Sequence, residues 1–350
     1  MPIPLTTTHH PHTAMSLPTT RLGRTGLTVS RLALGTMTFG LQTDEPTSHR
    51  ILDAAAEGGI NFLDTADVYP LGGTVETTGR TEEIVGRWLR AQGPSRRSQF
   101  VLATKAVGKV GPNSWDQGAS RKHLLDAIDA SLKRLQTDHV DLYQLHSDDR
   151  ETPLDESLEA LDVIVRSGRA RYIGVSNFLA YRLARAIGRA ELGRLTQLVS
   201  VQPRYSLLFR EIERELLPLA AEEGLGVIPY NPLAGGLLTG KYQPDMKPDD
   251  NTRFTLGSAG DMYQNRYWNE RSFATIAQLH HLADQAGVPL ATLAVAWVMA
   301  NPLITAPLLG ASQPEQLVST LAAAQYRLAP DLKLKLDELT ADYRKGDAPR

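Results

Sequence analysis

Along this chain, short apolar runs end repeatedly on one polar or glycine residue, and stretches with helical periodicity separate them. Residues 61–63 run into Asp64, 100–104 into Lys105, 140–145 into His146, and 172–175 into Ser176 and Asn177. Further on, 199–201 run into Gln202, 227–229 into Tyr230, and 308–309 into Gly310. Almost wholly apolar runs are the mark of strands buried on both faces, as in parallel sheets. The stretches between them carry helix signals. Ser120 reads as a cap before the stripe Leu124, Ile128, Leu132 and Leu135. Residues 152–155 read as a capping-box-like start, with Pro153 at the first helical position and Leu154, Leu158, Leu161 and Val165 on one face. Alternating strand and helix implies a parallel sheet with right-handed crossovers. Eight strand signals, beginning near Leu32, Asn61, Phe100, Val140, Tyr172, Val199, Gly226 and Ile304, favour closure into an α/β (β/α)₈ TIM barrel over an open sheet. In such a barrel the strands' terminal residues meet at one mouth, where the chemistry of the fold is done.

Residues 21–30 read as a hairpin ahead of the barrel, turning at Arg24, Thr25 and Gly26. Two segments break the rhythm: a short loop at 69–79 and a long one at 232–269 without sustained periodicity. Both should overhang the mouth. Helices are expected at 289–300, 313–324 and 330–343 around and after the last strand. The expected organisation is a disordered tail over 1–20, a single barrel domain over 21–343, and a C-terminal tail over 344–350.

Composition narrows the classes. With 42% hydrophobic and 22% charged residues the chain is ordinary globular material. A formal net charge of −2 gives no field to recruit nucleic acid or an anionic membrane. No apolar run reaches the ~18 residues of a membrane span, and the N-terminus lacks a signal-peptide pattern, so a cytoplasmic protein is expected. The absence of cysteine excludes disulfides, thiolate metal sites and thiol catalysis. His9, His10 and His12 fall in a Thr/Pro/His-rich tail and are not read as a metal site. Oligomeric state is open.

Asp64, Lys105 and His146 end the second, third and fourth strands, and Tyr69 lies on the loop leaving the second. A phenol has a pKa near ~10 and is a weak acid at neutral pH. A nearby ammonium favours phenolate, a carboxylate holds that ammonium charged and oriented, and an imidazole can bond the substrate oxygen or help supply a proton. Together these groups would protonate a carbonyl oxygen as hydride reaches its carbon.

The text of the chain is also recognisable. Residues 59–69 (GINFLDTADVY), 141–146 (DLYQLH), 174–177 (GVSN), 232–242 (PLAGGLLTGKY) and 309–317 (LGASQPEQL) resemble the aldo-keto reductases, in that family's order. The branch is similar to bacterial reductases that are related to potassium-channel β subunits. The resemblance implies a barrel, NADPH rather than NADH, and reduction of a small-molecule aldehyde or ketone. It implies Tyr69 as general acid, Lys105 as its charged partner, Asp64 as the partner of Lys105, and His146 as the substrate-orienting imidazole. It further implies that Ser176, Asn177 and Gln202 hold the nicotinamide amide, that Tyr230 stacks on its ring, and that Gly35, Thr36 and Met37, with Asp64, lie beneath the cofactor. Asn231, Pro232, Leu233, Ala234, Gly235, Lys241 and Arg253 would approach the pyrophosphate and its neighbours. Gly310, Ser312, Gln316, Ser319 and Thr320 would surround the adenosine end.

Some positions depart from the family. Thr320 stands where Asn is common, Ser312 is neither Arg nor Lys, and the loop over 70–79 is longer than in many relatives. Residues 235–241 spell Gly-x-x-x-x-Gly-Lys, but Tyr242 follows where a phosphate-binding loop needs Ser or Thr for magnesium, which argues against nucleotide hydrolysis. Two other functions stay open: a nucleotide-sensing regulatory subunit with little turnover, and a Schiff-base aldolase acting through Lys105.

Overall fold

A computed structural model describes residues 17–344, apart from 92 and 251. The His9, His10 and His12 cluster and most of both expected tails lie outside the described residues. Among the described residues ten strands form two sheets. The hairpin strands β1 (Thr19–Arg21) and β2 (Thr28–Ser30) pair antiparallel. The others are β3 (Ala33–Gly35), β4 (Phe62–Asp64), β5 (Val101–Ala106), β6 (Val140–Leu145), β7 (Ala170–Ser176), β8 (Leu198–Gln202), β9 (Gly226–Val227) and β10 (Leu308–Leu309). They lie in the order β10-β3-β4-β5-β6-β7-β8-β9, all parallel. The backbone amides of Thr305 and Leu308 donate to the carbonyls of Val227 and Pro229 at 2.8 Å each, which joins the two ends of the sheet. The expected (β/α)₈ barrel is therefore the fold. The last strand falls at Leu308–Leu309, beyond the signal at Ile304, because Thr305 and Ala306 bond to β9 as a connecting segment.

Side-chain alternation along each strand builds the interior. Ala33, Phe62, Val101, Ala103, Leu142, Ile228, Ala306 and Leu308 form one buried cluster, joined from below by Leu22 and Val29 of the hairpin. The hairpin thus plugs the bottom of the barrel. Its approach is close: the Arg24 amide donates to the Gly224 carbonyl at 2.9 Å, and a Cβ on Gly23 would lie 2.5 Å from that same oxygen. Two residues up from the interior apolar positions, period 2 places Asp64 above Phe62, Lys105 above Ala103 and Gln144 above Leu142. The polar groups at the mouth are a direct consequence of that spacing.

The helices are α1 (Glu45–Glu57), α2 (Arg80–Ala91), α3 (Pro94–Arg97), α4 (Arg121–Leu135), α5 (Leu154–Arg166), α6 (Ala180–Leu192) and α7 (Leu216–Glu222). They continue with α8 (Gly257–Tyr267), α9 (Glu270–Gln285), α10 (Leu290–Met299), α11 (Gln316–Ala322) and α12 (Pro330–Leu339). Ser120 caps α4 as expected, accepting from the His123 amide. The capping box at residues 152–155 does not form. Pro153 is the residue before α5, and the Thr152 hydroxyl donates to the Asp149 carboxylate at 2.6 Å instead. Helix α2 reaches α4 closely because residue 86 is glycine: a Cβ there would lie 2.3 Å from the Arg134 carbonyl. The helix expected at 313–324 starts only at Gln316, and the one expected at 330–343 stops at Leu339 before a short 3-10 turn, Ala341–Arg344. Among the described residues no single helix is long and apolar enough to cross a membrane.

The long segment at 232–269 is the main correction. It contains a 3-10 element, Ala234–Thr239, and the eleven-residue helix α8. Gly257, Ser258, Ala259 and Gly260 are poor helix signals at its start, and the apolar positions that follow, Met262, Tyr263 and Tyr267, are too few to show a period.

Candidate active site

The barrel mouth holds a cavity of about 780 Å³. Its floor comes from the strand ends, its roof from the loops at 69–79 and 232–269. The two loops touch: a Cβ on Gly72, whose φ is +79°, would lie 2.9 Å from the Leu256 carbonyl. Both irregular segments therefore overhang the mouth, as the sequence suggested.

At the floor, Lys105 is fully buried and Asp64 is 2% exposed. The Lys105 ammonium donates to Asp64 Oδ2 at 2.5 Å, to the Thr65 carbonyl at 2.8 Å, and to Tyr69 Oη at 3.5 Å. Asp64 Oδ1 accepts from Gln202 Nε2 at 2.9 Å and from Gln144 Nε2 at 3.1 Å. A carboxylate held by one ammonium and two amides is fully compensated, as a buried charge must be. The Tyr69 ring meets the His146 ring edge-on, with centroids 5.5 Å apart. Asp64, Tyr69, Lys105 and His146 thus converge at one place. Tyr69 and His146 face the cavity; Lys105 lies behind them and does not.

Electrostatics sharpen the roles these groups can take. Burial opposes the charge on Lys105, but Asp64 and Tyr69 outweigh it and hold the ammonium above its ordinary value. Burial also raises the Tyr69 phenol, against the downward pull of Lys105. The sequence reading of an acidified phenol is thus corrected: in the resting site the phenol is a weaker acid than usual and keeps its proton. Burial, reinforced by Lys105, pushes His146 down to about 3. The imidazole is neutral at physiological pH and can donate or accept a hydrogen bond, but it does not serve as an imidazolium.

A polar wall runs on from the floor. Ser176 Oγ donates to the Gln202 carbonyl at 2.9 Å, and Asn177 Nδ2 donates to the His146 carbonyl at 2.9 Å. Tyr230 Oη donates to Asn177 Oδ1 at 2.8 Å. Asn231 Oδ1 accepts from the Gly235 amide at 2.7 Å, and Gln316 Oε1 accepts from the Ser312 amide at 2.8 Å. Thr36 donates twice to the Asp64 carbonyl, at 3.0 Å from its amide and 3.0 Å from its hydroxyl. Gly35, Met37, Pro232, Leu233, Lys241, Arg253, Gly310, Ser319 and Thr320 also line the cavity. Ala234 does not: it is fully buried, with its amide on the Asn231 carbonyl.

Sequence reasoning missed several lining or supporting groups. Gln144 is one, although it stands in β6 two residues before His146, where period 2 aims it inward. Tyr263 and Arg266 are others, both on the unrecognised helix α8.

The comparisons agree with this geometry. Residues 31–340 match the model of the Aldo/keto reductase family. The chain is 44% identical over 325 residues to the uncharacterized oxidoreductase YrpG of Bacillus subtilis (strain 168), covering 91% of this chain and 95% of that protein. It is 38% identical over 305 residues to a probable voltage-gated potassium channel subunit beta of Arabidopsis thaliana, covering 86% and 89%. It is 36% identical over 346 residues to protein tas of Escherichia coli (strain K12), covering 92% and 97%. With its barrel closed, its polar mouth assembled and nearly its whole length matched, the chain belongs to the aldo/keto reductase family.

Proposed function

We propose that this oxidoreductase reduces an aldehyde or ketone to an alcohol with NADPH, and that Tyr69 is the proton donor. The observation that carries the reading is the convergence of Tyr69, Lys105 and Asp64 beneath one face of the cavity, with His146 edge-on to the phenol.

The residues present fit a dinucleotide. The cavity is a trough of mixed polar and apolar lining reaching from Asp64 to Thr320. Arg253 lines it with a buried Nε that has no hydrogen-bond partner, beside Gly310, as a group awaiting an anion would be. Ser176, Asn177 and Gln202 offer the donors and acceptors a carboxamide needs, and Tyr230 offers a ring beside them. Lys241 and Arg253 would meet the phosphates, and Gln316, Ser319 and Thr320 the adenosine end. When bound, the dihydronicotinamide supplies hydride to the carbonyl carbon.

The chain's own groups handle the proton. The buried phenol of Tyr69 keeps its hydrogen until charge builds on the substrate oxygen. As it gives that hydrogen up, the Lys105 ammonium 3.5 Å away stabilises the phenolate left behind. Asp64 fixes the ammonium, and the neutral His146 donates a hydrogen bond to the same oxygen. Solvent then reprotonates Tyr69.

An aldolase reading fits poorly. A Schiff base needs a neutral, accessible amine, whereas Lys105 is fully buried, paired to Asp64 and held as ammonium. The likeness to a protein named as a potassium channel subunit keeps a nucleotide-sensing role as the second reading. The deciding experiment is NADPH oxidation over a panel of aromatic aldehydes, sugars, ketones and dicarbonyls. Turnover lost in Tyr69→Phe supports the reductase. Tight NADPH binding with no turnover of any carbonyl would favour the sensor.

A further inference from the structure

Strand β9 is only two residues long, Gly226–Val227, so the sheet ends short of Tyr230. Past that end, Tyr230 is held by the segment that continues β8 beyond Gln202. The Tyr230 amide donates to the Pro203 carbonyl at 2.9 Å, and the Tyr230 carbonyl accepts from the Tyr205 amide at 3.2 Å. Gln202 and Tyr230 both line the cavity. The placement of this wall therefore depends on where residues 203–205 are held.

A buried ion pair holds them from the far side. After Tyr205 the chain turns tightly, with Ser206 and Phe209 exchanging backbone bonds at 3.1 and 3.0 Å, and arrives at Arg210, which is 4% exposed. The Arg210 guanidinium grips Glu213 with two arms: Nε donates to Oε1 at 2.8 Å and Nη2 to Oε2 at 3.0 Å. Its Nη1 donates to the Asp337 carbonyl and to Thr340 Oγ1, at 2.8 Å each, and its backbone amide donates to the Tyr343 carbonyl at 2.9 Å. Asp337, Thr340 and Tyr343 belong to α12 and the residues after it. Glu213 Oε1 also accepts from Tyr205 Oη at 2.7 Å, and the Tyr205 ring packs against Trp297 with centroids 5.1 Å apart. Tyr205 thus has its hydroxyl in the ion pair and its amide on Tyr230. A buried ion pair contributes little stability beyond what apolar packing would. A bidentate pair adds geometric definition, and here the geometry defined is that of Tyr205.

We propose that Arg210 is a positioning residue: with Glu213 it fixes Tyr205, and through Tyr205 the wall at Tyr230 that receives the nicotinamide end of the cofactor. The C-terminal segment 330–344, which carries the other partners of Arg210, is then part of what shapes the site. The inference rests on the cofactor reading above, but not on any choice of carbonyl substrate.

The test separates the two ends of the cofactor. Calorimetry measures binding of NADPH, and of adenosine 2′,5′-bisphosphate, which lacks the nicotinamide, to the natural protein, Arg210→Lys, Tyr205→Phe and the double variant. Urea unfolding of the same proteins reports which are folded under the assay conditions. Tyr205→Phe keeps the ring on Trp297 and cuts only the link to Glu213, so it decides the matter if Arg210→Lys does not fold. The expected result is NADPH binding weakened by about 2- to 30-fold in each single variant, with binding of the bisphosphate unchanged within about twofold. Because both variants act by one route, the double variant loses less than the product of the two single losses. Equal weakening of both ligands would mean a merely structural role and overturns the proposal. Unchanged NADPH binding in a folded Tyr205→Phe overturns it too. If the natural protein binds neither ligand, the cofactor reading itself fails and the proposal falls with it.

Discussion

The Lys105 ammonium sits 2.5 Å from Asp64 Oδ2, with both side chains withdrawn from solvent. Removing either partner strands a buried charge, which costs about 3–5 kcal/mol. Asp64→Ala leaves the ammonium only the Thr65 carbonyl and the Tyr69 hydroxyl. Lys105→Met leaves the carboxylate its two amide donors from Gln144 and Gln202, and so is the milder change. In the double variant no charge is stranded, so its loss of stability falls short of the two single losses added together. Urea unfolding of the four proteins measures this; additive losses would mean that the pair does not act as a unit.

Tyr69→Phe deletes the one hydroxyl that both faces the cavity and lies beside the ammonium. General acid catalysis contributes about 10²–10⁴-fold, so turnover with NADPH drops by that order. The ring stays to pack against His146, and cofactor affinity changes less than about twofold. Steady-state kinetics and a fluorescence titration with NADPH separate the two effects. Undiminished turnover would remove Tyr69 from its assigned role.

His146 gives a pH signature of opposite sign to a salt-bridged histidine. Its folded pKa of about 3 lies below the ordinary 6.5. Between those values the unfolded chain binds the proton and the folded chain does not. Stability from this group is therefore fully present above pH 6.5 and lost as pH falls toward 3, with a slope of up to about 1.4 kcal/mol per pH unit. His146→Gln removes the slope. Denaturant unfolding of both proteins at several pH values between 4 and 7 reads the difference, which should narrow as pH falls. In activity, no limb near pH 6.5 belongs to His146.

How much of this site was legible depended on period. The strand ends at Asp64, Lys105 and His146 could be read because apolar runs end abruptly there, and two-residue alternation then fixes which neighbours look inward. Gln144 obeyed the same rule and was overlooked because an amide inside an apolar run has no chemistry until its carboxylate partner is located in space. Helix α8 was hidden by its glycine-rich start, and with it Tyr263 and Arg266. The protonation of Tyr69 was misjudged for another reason. The meeting of strand ends at one mouth suggests the ammonium, but only the packed barrel reveals that burial pulls harder in the other direction.

Asp67 lies between Asp64 and Tyr69 in the chain but takes no part in their network. It is 1% exposed, and neither carboxylate oxygen has a hydrogen-bond partner. Burial and the neighbouring Glu82 raise its pKa well above the ordinary carboxylate value, against weaker pulls from Arg134, the Val68 amide and Lys105. Above about pH 4 an exposed Asp is ionised. The folded chain here holds a proton that the unfolded chain releases, so this group subtracts stability as pH rises toward its folded pKa. Asp67→Asn replaces the protonated carboxyl with a neutral group of the same shape and removes that dependence. The variant should match the natural protein near pH 4 and exceed it progressively above, by up to about 1.4 kcal/mol per pH unit. Unfolding in urea at pH 5 and at pH 7 is sufficient to test this: the advantage of the Asn variant must be larger at pH 7, and an advantage that is constant or shrinks would mean that the native carboxyl is ionised.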